Sequence, residues 1–335
     1  MPSAGSAATR VASIDPDLRA TVTRCRPLRY DEGADEHEDR PAHVRAASGA
    51  AWIGERIVVV QDDASFLALV EPDSGRTRSV SLPRGNRGRR LFDERRGTKR
   101  WKLDLESCAV VQSTFVAFGS GSTPERRRIA LAPTNALSDA RIVNADSLYE
   151  LLELRRDFSG SELNIEGLAA MPDGRLRLFQ RGNGAPGRGE MPVDATADLD
   201  VAELLFYLAE PEHRPPPSPR DVVRWSLGRL GAARLTFTDA TWWSDRVLFV
   251  AAAEDSPDTY RDGVVTGAAI GVFAPDGATA RWATLLREDG SPWIAKPEGI
   301  APGRTPGTVL LVVDRDDPEL AAELCEVRLD GSWAD

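Results

Sequence analysis

The sequence is poor in the residues that bind transition metals and cross-link small secreted domains. Its 335 residues include three cysteines and three histidines. It contains neither a CxxC pair nor a Cys/His zinc spacing, so zinc-site chemistry is not expected. Cys25, Cys108 and Cys325 are odd in number and far apart in the chain, which predicts reduced thiols in a cytoplasmic protein.

Long apolar segments and known catalytic signatures are missing as well. No apolar run approaches the ~20 residues that span a bilayer, and residues 1–16 lack the apolar core of a secretory signal. The net charge of −10 argues against nucleic acid as the main partner, because phosphate backbones bind basic surfaces. Neither a GxSxG motif nor a GxxxxGK[ST] phosphate loop occurs, so no catalytic residue can be assigned.

The chain is instead rich in turns and in one repeated motif. Its 28 Gly and 23 Pro separate short β-type runs, a pattern typical of an all-β protein. "NIEGLA" at 164–169 returns as "KPEGIA" at 296–301, each time before a β-type run. Alignment of these copies exposes three weaker relatives. The five anchor positions, at intervals of 58, 60, 73 and 59 residues, are Ser48, Glu106, Glu166, Asp239 and Glu298.

A repeat near 60 residues fits one four-stranded blade of a β-propeller. We therefore predict an all-β fold with one propeller domain over residues 1–335, having five blades or, as a fallback, six. A proline-rich stretch at 210–221 predicts an inserted surface loop within the irregular interval. Residues 18–28 are predicted to close the ring by pairing with a C-terminal strand. Segments 147–158 and 201–210 could each form a short helix.

The anchors predict a metal site, because the first strand of each blade lines the central channel of a propeller. Like charges gathered there repel by roughly 4 kcal/mol per pair at 4 Å, and protons, basic side chains or a cation relieve this repulsion. An all-oxygen set suits calcium. We predict that Glu106, Glu166 and Glu298 bind one Ca²⁺ on the axis, and that Ser48 and Asp239 complete the ring. Gly49, Gly167 and Gly299 would let neighbouring backbones approach closely.

The alternative to this calcium site is a metal-free polar channel. In that case the glutamates would pair with Lys102, Lys296 or Arg181 of the chain itself. Arg181 and Asn183 in "QRGNG" are also predicted, with Lys102, to bind a small anionic ligand, because a guanidinium fork suits phosphate or carboxylate. Segment 83–102 holds nine Lys or Arg, which indicates either a solvated loop or an anion-attracting flap.

The motifs "DLESC", "NIEGLA…LFQRGNG" and "KPEGIA…VVDRDDP" resemble an uncharacterised bacterial family of propellers, over about residues 44–320. That family is similar to phytase-like and calcium-activated nucleotidase (apyrase) propellers. The nucleotidases are five-bladed and hold calcium through a ring of Ser and Glu, one per blade. This resemblance implies Ser48, Glu106, Glu166 and Glu298 as ligands. Asp239 departs from the pattern, which expects Ser there, and Thr238 or Thr241 are its alternatives.

The resemblance implies a calcium-dependent phosphoester hydrolase. Two alternatives stay open at this point. One is a non-catalytic propeller that binds a small molecule or a protein and uses calcium as a structural ion. The other is a hydrolase similar to sugar lactonases of the gluconolactonase type, which also begin with an EG-type calcium ligand.

Overall fold

The computed structural model describes residues 8–187, 189–255 and 264–334, and the regular structure in these ranges is mainly β-sheet. The N-terminal strands are β1 (Thr9–Ile14) and β2 (Arg19–Pro27). Two four-stranded antiparallel units follow. Unit I contains β3 (Ala47–Ile53), β4 (Arg56–Gln61), β5 (Phe66–Val70) and β6 (Thr77–Ser81), and unit II contains β7 (Leu105–Val111), β8 (Thr114–Gly119), β9 (Arg128–Pro133) and β10 (Arg141–Asn144).

Three more antiparallel units complete the chain. Unit III contains β11 (Ile165–Ala170), β12 (Arg175–Gln180), β13 (Asp194–Asp200) and β14 (Arg220–Ser226). Unit IV contains β16 (Ala233–Trp243), β17 (Arg246–Asp255), β18 (Val264–Phe273) and β19 (Ala280–Arg287), and the short β15 (Arg229–Leu230) pairs with β16. Unit V contains β20 (Lys296–Pro302), β21 (Thr308–Asp314) and β22 (Glu323–Asp330), to which β2 adds the fourth strand.

The first strands of the units contact one another in a closed cycle, β3 to β7, β11, β16, β20 and back to β3. The predicted all-β propeller is therefore confirmed. The predicted closure is also confirmed, because β2 pairs antiparallel with β22. The N-terminal segment does more than close unit V. β1 pairs parallel with β14 and β19, and β2 pairs parallel with β19, so residues 9–27 tie three units together along their outer edges.

The closing strand also corrects the prediction for the cysteines. Cys25 and Cys325 lie opposite each other in β2 and β22 and form a disulfide bond, so the expectation that all three thiols are reduced is wrong for this pair. The pairing joins residues that are 300 positions apart, which only the ring topology brings together. Cys108 is a buried free thiol. Within the described residues no helix is long and apolar enough to cross a membrane.

Both segments that could form helices are helical. The first contains α1 (Asp146–Leu154) and α2 (Arg156–Ser159), and the second is α3 (Val201–Ala209). Leu148, Tyr149 and Leu152 recur at helical spacing and are fully buried, which explains why α1 forms. The Asp200 side chain caps α3 by accepting a hydrogen bond from the Glu203 amide at 2.9 Å. The proline-rich residues 211–219 then run as turns and coil to β14.

Each first strand carries a register shift near its predicted anchor. The shifts lie between Ala47 and Ala50, Leu105 and Ser107, Ile165 and Gly167, Phe237 and Asp239, and Pro297 and Gly299. Such a bulge leaves one residue unpaired and turns its side chain out of the normal alternation. The glycine after the anchor then meets the next unit. A Cβ on Gly299 would lie 2.2 Å from the Ser48 carbonyl oxygen, so the predicted close backbone approach is confirmed there.

Candidate functional site

One cavity of about 580 Å³ opens at the end of the ring where the first strands begin and the second strands end. Among the described residues its wall contains eleven carboxylates and seven cationic side chains, a formal excess of negative charge. The carboxylates are Asp62, Asp63, Asp93, Glu94, Asp104, Glu106, Glu166, Glu298, Asp314, Asp316 and Asp317, and the cations are Arg45, Arg95, Lys99, Lys102, Arg126, Arg181 and Lys296. Such a polar wall suits a small charged ligand or a cation better than an apolar molecule.

Four of the five predicted metal ligands line this cavity, namely Ser48, Glu106, Glu166 and Glu298. Each glutamate is the bulge residue of its strand, which explains why three distant positions point into one space. The equivalent bulge residue of β16 is Thr238 rather than Asp239. Thr238 is fully buried, and its Oγ1 has no hydrogen-bond partner among the described residues.

Asp239 follows the bulge by one residue and occupies the place that glycine holds in units I, III and V. It is fully buried and is not among the described residues that line the cavity. Its Oδ2 accepts a hydrogen bond from the Ile300 amide of unit V at 2.8 Å. Burial raises the pKa of Asp239 well above its usual range, although main-chain hydrogen bonds oppose the shift. The structure thus separates Asp239 from the other predicted ligands.

The ring glutamates have polar partners within the chain. The Ser48 hydroxyl donates to Glu106 Oε2 at 3.0 Å. The Arg181 guanidinium lies 3.5 Å from Glu166 Oε1, to which Asn164 Nδ2 also donates at 2.7 Å. These are pairings of the kind that the metal-free alternative expects.

Glu298 and Arg181 complete this network. Lys296 Nζ lies 2.7 Å from Glu298 Oε1, and burial raises the pKa of Glu298 to about 8. Its Oε2 has no hydrogen-bond partner within the described part of the chain. Arg181 also contacts Glu254 Oε2 at 2.6 Å and donates from Nε to Thr236 Oγ1 at 3.1 Å. The predicted ligand residue Arg181 is therefore buried and held at three points.

The other two predicted ligand-binding residues also face the cavity. Asn183 lies beside Asn164, whose Nδ2 donates to Asn183 Oδ1 at 3.1 Å. Lys102 Nζ lies 2.6 Å from Asp62 Oδ2 and 2.5 Å from Asp104 Oδ1. Burial alone would lower the pKa of Lys102, but the charges of Asp104, Asp62 and Glu106 outweigh it and raise this pKa.

Sequence reasoning missed Asp104, the second partner of Lys102. It is buried, and Arg126 Nη1 lies 3.0 Å from its Oδ2. A signal was present, because Lys102, Asp104 and Glu106 recur at a spacing of two in "KLDLE". Carboxylate oxygens of Asp62, Asp104 and Glu106 all lie within 4.8 Å of one another. For Glu106, burial comes first and the Asp104 charge second in raising the pKa well above its usual range.

Part of the basic segment 83–102 lines the cavity, and the rest is largely exposed on the protein surface. Arg95, Lys99 and Lys102 line the cavity, and Arg95 Nη1 reaches Glu319 Oε1 in unit V at 2.6 Å. The guanidinium carbons of Arg87 and Arg100 lie 4.6 and 4.4 Å from the centroid of the Trp101 ring. Residues 92–95, 99 and 102 of the segment line the cavity, and its role as an anion-attracting flap stays a prediction.

Comparisons with known proteins identify the family. The family described as "Family of unknown function (DUF6929)" matches residues 43–329, and the chain belongs to it. No curated protein matches the chain. Among solved structures it is similar to the calcium-binding protein regucalcin from Agrobacterium tumefaciens, with 11% identity, coverage of 97% of this chain and 98% of that chain, and a TM-score of 0.43.

Two further solved structures show the same degree of likeness. A luciferin-regenerating enzyme has 10% identity, 86% and 94% coverage of this chain and that chain, and a TM-score of 0.43. The major allergen Mala s 1 of Malassezia sympodialis has 9% identity, 87% and 94% coverage, and a TM-score of 0.46. Likenesses at this level carry no argument about activity. The specific likeness to phytase-like and nucleotidase propellers stays a prediction.

Proposed function

We propose that this member of a family of unknown function binds Ca²⁺ together with a small anionic ligand in the channel-mouth cavity, as a calcium-dependent phosphoester hydrolase. The observation that carries the proposal is the convergence of Asp62, Asp104 and Glu106, within 4.8 Å of one another, in a cavity that also holds buried cations. The calcium site proposed here shares Glu106 with the predicted ring but uses carboxylates from units I and II.

The donor set fits calcium by its chemistry. Calcium takes about 6–8 oxygen ligands at roughly 2.3–2.6 Å, so carboxylate oxygens within 4.8 Å of one another can share one ion. The Ser48 hydroxyl, bonded to Glu106, adds a neutral oxygen beside them. An excess of carboxylates over cations in the cavity wall favours a divalent cation further. Calcium, when bound, would act as a Lewis acid that polarises a phosphoryl oxygen.

The side chains of the chain itself would bind and orient the phosphate. Arg181 is held by Glu166, Glu254 and Thr236, so its guanidinium is fixed before a ligand arrives. Lys102 and Asn183 line the same cavity. Glu298 is the group that would hold or move a proton, because its Oε2 is buried without a described hydrogen-bond partner and its pKa is raised to about 8.

The test is a calcium-replete activity screen against nucleoside di- and triphosphates, inositol phosphates and sugar lactones. We expect turnover of a phosphate ester that EDTA abolishes. Glu106→Gln and Arg181→Ala should lose this turnover, whereas Arg304→Ala, on the surface beside Glu55, should retain it. Turnover of lactones alone would replace the phosphoester with a lactone as substrate. Turnover that survives EDTA and both site variants would contradict the proposal.

A second candidate function is a non-catalytic binding propeller, and one observation favours it. Each ring glutamate has a polar partner in the chain, because Ser48 donates to Glu106 and the cations Arg181 and Lys296 lie beside Glu166 and Glu298. Such a site asks for no general base and needs only a polar ligand. Saturable binding of a phosphate or carboxylate compound by calorimetry, with no turnover in the same screen, would decide for this candidate.

A further inference from the structure

We infer that Lys102 competes with the calcium ion for Asp62 and Asp104, so that calcium binding releases the Lys102 ammonium group to the anionic ligand. The inference rests on the proposed function, because it needs the calcium site of Asp62, Asp104 and Glu106. It adds a link between calcium binding and anion binding, which the convergence of three carboxylates does not by itself imply. Lys102 is the residue that carries this coupling.

The geometry places one cation of the chain on two of the three proposed calcium ligands. Lys102 Nζ lies 2.6 Å from Asp62 Oδ2 and 2.5 Å from Asp104 Oδ1, and the residue is only 7% exposed. Asp104 has a second cation on its other oxygen, because Arg126 Nη1 lies 3.0 Å from Oδ2 and also donates to Ser122 at 2.9 Å. Arg126 therefore keeps its place when Lys102 leaves.

Lys102 and a divalent ion compete for these carboxylates, because two cations bound to the same carboxylate repel each other at these distances. The lysine carries its charge on a flexible four-carbon stem, which allows the ammonium group to move. A displaced ammonium in a buried site is costly unless it finds a new partner of opposite charge. An anion in the cavity that Lys102 shares with Arg181 and Asn183 offers that partner.

Two consequences follow for binding. Without an anion, calcium binds weakly, because it must displace Lys102 into an unfavourable state. With an anion present, calcium binds more tightly, and by thermodynamic linkage calcium strengthens anion binding by the same factor. The other buried lysine gives a matched comparison: Lys296 pairs with Glu298, which lies outside the Asp62–Asp104–Glu106 set.

Calorimetric titration of the full chain tests the inference. Calcium is titrated into the wild type, Lys102→Met and Lys296→Met, with and without methylphosphonate, a phosphate mimic that cannot be hydrolysed. We expect Lys102→Met to bind calcium roughly tenfold more tightly than the wild type when methylphosphonate is absent. Methylphosphonate should tighten calcium binding by the wild type roughly tenfold and by Lys102→Met clearly less. Lys296→Met should show the wild-type coupling.

The outcomes separate the inference from the proposed function. Equal calcium affinities of the wild type and Lys102→Met overturn the inference and leave the calcium site standing. An undiminished methylphosphonate effect in Lys102→Met also overturns it. The absence of calcium binding by every variant overturns the calcium site itself and the inference with it. Lys102→Gln is a second variant in case Lys102→Met does not fold, since its amide still donates to the carboxylates without a charge.

Discussion

Glu106 and Asp239 are acidic residues in the first strands of their units, each beside a bulge, and their surroundings are opposite. Glu106 is the bulge residue of β7, lines the cavity and accepts a hydrogen bond from Ser48. Asp239 lies one residue past the bulge of β16 and accepts a hydrogen bond from the Ile300 amide in the next unit. A shift of one residue thus moves a carboxylate from the channel to the contact between two units.

This difference shows what a sequence repeat can specify. The repeat finds the strand but not the residue that the bulge leaves unpaired, and in β16 that residue is Thr238 rather than Asp239. In units III and V the residue after the bulge is Gly167 or Gly299. A Cβ on Gly299 would lie 2.2 Å from the Ser48 carbonyl oxygen, and one on Gly167 would lie 3.0 Å from Asp239 Cα, so the neighbouring backbone crowds both places. Unit IV has Asp239 at that place, and its carboxylate bonds to the neighbouring backbone instead.

The largest expected effect comes from breaking the contact between units IV and V. Asp239→Ala removes a fully buried acceptor and leaves the Ile300 amide without its partner. We expect the free energy of unfolding to fall by about 3 kcal/mol, because a buried unsatisfied donor carries its full desolvation cost. Urea denaturation followed by circular dichroism measures this loss. Calcium affinity of the folded fraction should stay at the wild-type value.

Ser107→Ala is the matched control for this prediction. Ser107 occupies the equivalent place after the bulge of β7 and is fully buried, and its Oγ has no hydrogen-bond partner among the described residues. Its removal should change the free energy of unfolding by less than about 1 kcal/mol. An Asp239→Ala protein as stable as Ser107→Ala would show that the Asp239 carboxylate does not hold the two units together.

Much of this architecture could be predicted from the sequence. Repeat spacing predicted the propeller, closure of the ring by residues 18–28 was predicted as well, and Glu106, Arg181 and Lys102, chosen by residue type, line one cavity. The sequence did not predict the register within a strand. In "TDA" at 238–240 two neighbouring residues are polar, and the sequence does not say which of them lies at the bulge.

Contacts between units were also beyond the sequence. Asp62 follows β4 of unit I, whereas Asp104 precedes β7 of unit II, and only the packing of the two units brings their carboxylates together. The same holds for Cys25 and Cys325, whose pairing depends on the register of β2 against β22. Local sequence patterns predict strands and turns, whereas contacts between distant residues depend on how the strands pair and pack.

The next effect tests the cavity side of the comparison. Glu106→Gln replaces a charged ligand of the proposed calcium site with a neutral amide of the same size. We expect calcium affinity to fall about tenfold or more, since Asp62 and Asp104 would be the two charged ligands left to hold the ion. Calorimetry measures this loss, and thermal unfolding without calcium should change little, because the variant also removes repulsion between buried carboxylates.

Glu150→Gln provides the control, because Glu150 lies on α1 with its side chain 64% exposed. It should bind calcium as the wild type does. If Glu106→Gln binds calcium with wild-type affinity, the ion does not use the carboxylate that the repeat and the structure both place in the cavity.

The smallest expected effect concerns how the cavity carboxylates respond to pH. Burial, and next the charge of Asp316, raises the pKa of Asp314 to about 8. An acid whose pKa is higher in the folded state than in the unfolded chain stabilises the fold at low pH, and this stabilisation is lost as pH rises toward the folded-state value. We expect the free energy of unfolding of the calcium-free protein to fall between pH 5 and pH 8. Asp314→Asn should remove about 1 kcal/mol of this fall, a modest share because solvent still reaches part of the largely buried Asp314 side chain and screens its charge. Urea denaturation at both pH values measures the difference.

Asp276→Asn is the control for this prediction. Asp276 lies in an exposed turn, where it accepts a hydrogen bond from the Ala278 amide, and the variant should keep the wild-type pH slope. An Asp314→Asn protein with an unchanged pH slope would mean that Asp314 is ionised in the folded state at pH 8 without cost, and that the cavity tolerates its carboxylates as readily as the protein surface does.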